Sequence, residues 1–251
     1  DGFGSAARQS GISLTETEST MIGFERDGKV GRLFLQRASH ANAFTSEMLR
    51  RIAEILETAS GESDVIVIHA VGDDFSLGRD REEPKNPSGP YAAFSEISRV
   101  NAAFEAFPGI VVTAIKGRAF GFGLGLAMRS DIAISADNAR FMLDEVSLGF
   151  PPMFLMEVIH EHLSPKRALD LILSSREFDA AEALEIGLLS RVVPADLLEV
   201  EVDEFVSTLG RRNADVLKSC KAYLVAIKQM PQAARPNNAL VEQVRFALDH
   251  H

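Results

Sequence analysis

Residues 110–131 read IVVTAIKGRAFGFGLGLAMRSD, and the fold turns on how this stretch is read. Ile110, Val111, Val112 and Thr113 open a run rich in β-branched residues, which favours a buried strand. Four glycines follow at 117, 121, 123 and 125, and a helix pattern begins after them. Glycines at such a junction let the backbone approach a ligand and aim N–H groups at it. A helix start adds the positive end of its dipole. Dinucleotide binding asks for G-x-G-x-x-G, whereas Gly121, Gly123 and Gly125 stand two apart, so that reading is weak. A phosphate-cradling loop asks for Gly-Lys-Ser/Thr, and none follows. Two readings remain: an oxyanion hole at a strand-to-helix turn, or a tightly packed glycine turn that holds nothing.

Outward from this stretch the chain alternates strands and helices. Residues 30–35 alternate like a strand. Thr45 stands as an N-cap for a helix through Ala59, with Met48, Ile52, Ile55 and Leu56 on one face. Residues 64–70 (DVIVIHA) predict a strand, residues 71–80 a turn-rich loop, and residues 81–90 a polar, proline-bearing surface loop. Phe94, Ile97, Phe104 and Phe107 repeat at helical spacing up to Pro108 and Gly109. Residues 131–136 predict another strand. Ser164 and Pro165 open a helix, Asp179 caps a short one that Gly187 ends, and residues 188–193 form the last strand. From Ala195 onward the chain reads as helical. The order predicts an α/β core with a C-terminal helical region.

Composition narrows the function classes. The chain has 251 residues, 46% of them hydrophobic, enough for a sizeable packed core. No apolar run approaches the roughly 18–20 residues of a membrane span, so no membrane partner is expected. The formal net charge is −10 and no cluster of cations stands out, which disfavours nucleic acid. The single cysteine, Cys220, excludes an intrachain disulfide and fits a cytoplasmic protein. It falls in an amphipathic helix pattern over residues 216–227 and is expected to be buried filler. Residues 1–10 are small and polar, unlike a signal peptide. Three segments are expected: residues 1–22 as an N-terminal extension partly of expression origin, residues 23–193 as the α/β core, and residues 194–251 as a helical oligomerisation region. His250 and His251 are likewise set aside.

Five blocks, in order, resemble the crotonase (enoyl-CoA hydratase/isomerase) family. They are residues 35–44 (LQRASHANAF), 75–80 (FSLGRD), the glycine loop, 141–149 (FMLDEVSLG) and 180–193 (AAEALEIGLLSRVV). The resemblance covers residues 23–193, with a weaker helical continuation. It implies a spiral of strand-strand-helix turns, with a helical tail that packs homotrimers or hexamers. It also implies an acyl-CoA thioester substrate whose carbonyl sits between two backbone N–H groups, those of Leu77 and Phe122. The family usually has glycine where Phe122 stands, so its ring is expected to reshape the acyl pocket or to pack in the core. Preorganised N–H donors bind the oxygen more strongly as charge grows on it.

Of the two glutamates that hydratases of this family resemble each other in carrying, the first position falls on Gly125 and the second on Glu145. One glutamate suffices for a 1,3-proton shift, so Glu145 is expected to act as the acid/base of an isomerase-like enzyme. Burial would raise its pKa towards neutrality. Asp144 replaces the usual proline. In an extended segment it would point away from Glu145, towards a structural or surface role. Met153 stands where dienoyl-CoA isomerases carry an acidic residue. Coenzyme A contacts are implied for Ala41, Ala43, Gly78, Arg79 and Asp80, with Arg79 and Lys221 as phosphate contacts or ordinary surface cations. Phe94, Phe122, Phe150 and Phe154 are candidates for the pocket wall. No metal or redox cofactor is implied; coenzyme A arrives with the substrate. Hydrolysis, C–C cleavage or decarboxylation at the same site is the alternative, with Gly125 leaving room, and a non-catalytic acyl-CoA-binding protein is another. His160 and His162 lie two apart on a predicted helix and cannot share a metal well, and His69 reads as a core histidine. No H-E-x-x-H or G-x-S-x-G motif is present.

Overall fold

The computed structural model describes residues 21–84 and 87–250. The expectations for most of the N-terminal extension and for His251 therefore lie outside the described residues. A hairpin opens the fold, with β1 (Ile22–Asp27) antiparallel to β2 (Val30–Leu35). There follow α1 (Ser46–Ala59), β3 (Val65–Ala70), α2 (Pro90–Ala106), β4 (Ile110–Ile115), β5 (Arg118–Phe120), α3 (Phe122–Arg129), β6 (Ile132–Ala136) and β7 (Arg140–Met142). The chain continues through α4 (Met153–His162), α5 (Pro165–Ser174), β8 (Phe178–Asp179), α6 (Ala180–Glu185) and β9 (Arg191–Val193). It closes with α7 (Leu198–Gly210), α8 (Ala214–Lys228) and α9 (Arg235–His250).

The main sheet has the order β1-β2-β3-β4-β6-β9, parallel from β2 onward, and a second sheet has the order β5-β7-β8. Strands of a parallel sheet are covered on both faces, and every residue of β3 is buried. Its alternating side chains feed two cores. Ile66 and Ile68 join α1 and α2 on one face, while Val65 and Val67 join Leu198, Val202 and Val206 of α7 on the other. The helix α7 is thus committed to the sheet, although it lies in the segment expected to serve oligomerisation. Thr45 caps α1 by accepting from Met48 N–H at 3.2 Å, and Asp179 caps α6 by accepting from Glu182 N–H at 2.8 Å.

Two expectations need correction. The strand at residue 110 does not run straight into a glycine loop and helix: β5 intervenes between Gly117 and Gly121. At Gly117 the backbone has φ +57° and a Cβ would collide with Asp73 O, so the chain turns tightly there and pairs residue 119 with Ser76. Three residues are too few for an alternation to register. Ser164 and Pro165 open α5 as expected, with Ser164 at the N-cap though making no side-chain cap bond. Cys220 is exposed rather than buried, because α8 lies on the outside of the molecule and buries none of its residues.

Candidate active site

The second sheet brings two loops together. Ser76 N–H donates to Arg118 O at 3.0 Å and Phe120 N–H to Ser76 O at 2.9 Å, which docks residues 75–80 along β5. Leu77 N–H, on the opposite side, donates to Ala41 O at 3.1 Å. Gly78 then has φ +83°, a left-handed conformation that shifts the strand alternation by one residue. Phe44 N–H donates to Gly78 O at 2.7 Å and Asp80 N–H to Phe44 O at 2.9 Å. This bridge engages the groups flanking Arg79 and leaves the Arg79 N–H facing away from Phe44. That is the side on which Gly78 meets the start of α3: a Cβ on Gly78 would lie 3.3 Å from Phe122 N.

Phe122 is the first residue of α3, so its N–H has no partner within the helix. Among the described residues neither Phe122 N–H nor Arg79 N–H donates to a protein acceptor. Both residues line one cavity of about 530 Å³. The expected donor Leu77 is corrected on this ground. Its N–H is spent on Ala41, and the phase shift at Gly78 hands the free donor to Arg79. The Phe122 ring is buried and packs edge-on against Phe44 at 5.4 Å, in the core at the cavity wall.

Glu145 reaches the same cavity from the turn after β7. Gly121 has φ +49°, and its missing side chain makes the room: a Cβ there would be 2.7 Å from Glu145 Oε1 and 3.0 Å from Asp144 Oδ1. Burial pushes the Glu145 carboxyl up to about 7. Its own backbone N–H pulls the other way, the charge of Asp144 adds to the rise, and Arg81 offsets part of it. Glu145 Oε2 is buried without a hydrogen-bond partner among the described residues.

Asp144 does not point away from Glu145. It is 8% exposed, lines the cavity, and forms an ion pair with Arg81. The backbone at Glu145 is helical (φ −58°, ψ −40°) as it enters a 3-10 turn, so the alternation of an extended chain does not apply. Gly125 does not leave open space either. Leu155 Cδ2 occupies the place a side chain there would take, and no carboxylate fills it. Phe94, Phe122, Phe150 and Phe154 all lie on the cavity wall, with Phe94 6.5 Å from Phe150 and 6.1 Å from Phe154 between ring centroids. Met153 also lines the cavity and is largely exposed.

The candidate coenzyme contacts divide. Arg79 and Asp80 line the cavity, as does Leu77. The Arg79 guanidinium is turned back into the protein, donating to Phe44 O at 2.7 Å and pairing with Glu83 at 2.7 Å. Asp80 pairs with Arg37 at 2.7 Å. Ala41 has a left-handed backbone (φ 46°) and Ala43 accepts from Arg37 at 3.0 Å; neither lines the cavity. Lys221 is away from it as well. Its ammonium donates to Asp131 at 2.8 Å and Gly109 O at 2.9 Å over the Phe107 ring, so it is not a free phosphate contact.

Sequence reasoning missed three participants. Asn42, fully buried with φ 52°, accepts from Arg37 N–H and donates to Val71 O and Asp74 O, holding the loops beside the cavity. Arg81 and Leu155 gave no local signal. Among the described residues no group of His, Cys, Asp or Glu is arranged to hold a metal. His162 faces Met128 O at 3.1 Å, and His69 lies between Glu199 and Arg32.

The fold is a crotonase-type α/β spiral with C-terminal helices, and its site joins backbone donors to a buried carboxyl. The enoyl-CoA hydratase/isomerase family model matches residues 25–245, and the chain belongs to that family. It is 32% identical over 200 residues to the probable enoyl-CoA hydratase echA8 of Mycobacterium tuberculosis, covering 78% of each chain. A Thermobifida fusca structure of the enoyl-CoA hydratase type, in complex with CoA, matches with a TM-score of 0.82 at 28% identity, covering 91% of this chain and 93% of that one. An enoyl-CoA hydratase structure from Mycobacterium smegmatis matches the fold with a TM-score of 0.86 at 22% identity, covering 92% and 93%.

Proposed function

We propose that this protein is an acyl-CoA enzyme that shifts a double bond through a thioester enolate, with Glu145 as the single proton carrier. The observation that carries the reading is the convergence on one cavity of two unengaged N–H groups, from Arg79 and Phe122, and the buried Glu145 carboxyl. A carboxylate removes a proton from C2 of a 3-enoyl thioester. Charge develops on the carbonyl oxygen, and donors fixed in advance hold it more tightly than the neutral carbonyl. Losing one such donor costs about 3–4 kcal/mol of barrier. Glu145 returns the proton at C4, which moves the double bond into conjugation. A carboxyl poised near neutrality suits both halves of this cycle.

The CoA bound in the Thermobifida fusca relative supports a coenzyme A thioester as ligand. The backbone of residues 78–80 would grip it, with no metal or redox cofactor required. The phenylalanine-rich wall favours an apolar acyl group. Leu155 in the place beside Gly125 gives no particular support to hydrolysis or C–C cleavage. We also assign a homotrimer or hexamer built through α8 and α9, whose apolar residues lie outward. The test is isomerisation of a 3-enoyl-CoA by the wild type and by Glu145→Gln. A loss of about a hundredfold or more is expected, and unimpaired turnover in the variant overturns the assignment.

A further inference from the structure

One side of the cavity, built by α2, residues 148–152 and the start of α4, is apolar out to solvent. Every residue that these segments give to the wall is apolar, and the charged groups of the cavity come from residues 79–81 and 144–145. Ile97 and Leu155 on this side are buried, whereas Phe94, Leu148, Phe150 and Met153 are between 41% and 63% exposed. Single exposed apolar side chains need no explanation, but several grouped on the rim of one cavity mark a surface that a ligand covers. The backbone that carries Glu145 fixes this rim. Leu148 N–H and Phe150 N–H both donate to Glu145 O, at 3.1 and 2.9 Å. Gly149 between them is left-handed (φ +79°), and Pro151 and Pro152 restrict the run into α4. Phe94 reaches the rim from α2 and meets Phe150 and Phe154.

We propose that this wall selects a thioester whose acyl group ends in an aromatic ring, seated on Phe94 and Phe150, in preference to short or linear acyl chains. The proposal rests on the reading of the cavity as an acyl-CoA site and adds the class of acyl group. A cavity of about 530 Å³ is of the size that takes a drug-sized ligand, more than a short acyl chain fills. The Phe94 ring stands 6.5 Å from that of Phe150 and 6.1 Å from that of Phe154, within the spacing at which aromatic rings pack edge-on or offset. A further ring extends that cluster over side chains now facing solvent. It also covers the wall with few rotors to freeze, whereas a linear chain of equal carbon count loses freedom at each bond.

The experiment measures by calorimetry how the full chain binds three saturated thioesters: ω-phenylhexanoyl-CoA, hexanoyl-CoA, and dodecanoyl-CoA, which matches the first in carbon count. The phenyl thioester is expected to bind at least about tenfold more tightly than either linear one. Phe150→Ala and Phe94→Ala are each expected to remove most of that preference, while hexanoyl-CoA affinity changes less than about threefold. Equal affinity for hexanoyl-CoA, or tightest binding of dodecanoyl-CoA, overturns the proposal. So does a preference that survives in both variants. A variant that sediments as a smaller species than the wild type also overturns it, because the rim would then face a second copy of the chain. Isomerisation of 3-hexenoyl-CoA, followed alongside, separates this proposal from the reading it rests on. Turnover with no ring preference sinks the proposal and spares Glu145. A ring preference without turnover supports the proposal and counts against Glu145, and no binding of any thioester sinks both.

Discussion

Gly121 carries no side chain, and two carboxylates occupy the room this leaves. Gly121→Ala would strain a left-handed backbone and push a methyl group onto Glu145 Oε1 and Asp144 Oδ1. Both carboxylates should move, and turnover of an enoyl-CoA should drop at least tenfold, with a lower melting temperature as a second readout. Wild-type kinetics in this variant would mean that Glu145 does not act from where it stands. The raised Glu145 carboxyl also sets a pH dependence. Proton removal needs its ionised form, so kcat/KM for isomerisation should climb as pH rises through about 7 and then level off. For stability the sign is opposite. A folded-state pKa above the ordinary carboxyl value favours the protonated native state, a contribution complete below about 4.5 and lost as pH passes 7. Glu145→Gln should therefore gain thermal stability relative to the wild type as pH is raised from 5 to 8, which a series of melts would check.

At the scale of elements, α8 buries none of its residues and is tied down by ion pairs, Lys218 with Asp64 at 2.6 Å and Lys221 with Asp131 at 2.8 Å. Asp131 also accepts from Val111 N–H at 2.8 Å, so the Lys221 contact joins α8 to the edge of β4. Lys221→Met would leave Asp131 and Gly109 O short of a donor, at about 1–3 kcal/mol. Chemical denaturation should register that loss while acyl-CoA affinity stays at the wild-type level. A variant with intact stability and weakened CoA binding would return Lys221 to the role its place in the sequence suggested. The element that sequence reading could not resolve is β5. Its three residues carry no period, yet its pairing with Ser76 is what sets the two donor loops side by side.

For the whole molecule, the described residues of the two last helices leave apolar side chains uncovered. Leu224 on α8 and Leu240 and Leu248 on α9 are 61%, 63% and 77% exposed. These exposed leucines are what the proposed assembly through α8 and α9 would cover. The double variant Leu240→Glu, Leu248→Glu should sediment as a smaller species than the wild type in analytical ultracentrifugation, and an unchanged sedimentation coefficient would refute an assembly through α9. The family, the spiral of strands and helices, and the approach of the glycine loop to the site were legible along the chain. The strand and helix order is written in local periodicity, capping residues and glycines, each read over a few neighbours, while the family and its spiral came from the resemblance of five ordered blocks. Glu145 was singled out by that resemblance, and the structure places its side chain on the cavity. Which N–H groups stay free was not legible, because that depends on one left-handed residue, Gly78, shifting the hydrogen-bond alternation against a partner 34 residues away in the chain. Nor were the inward turn of Asp144, the filling of Gly125 by Leu155 and the capture of Lys221 by Asp131. Each is decided by what packs across space, and sequence spacing holds no record of which distant atom arrives there.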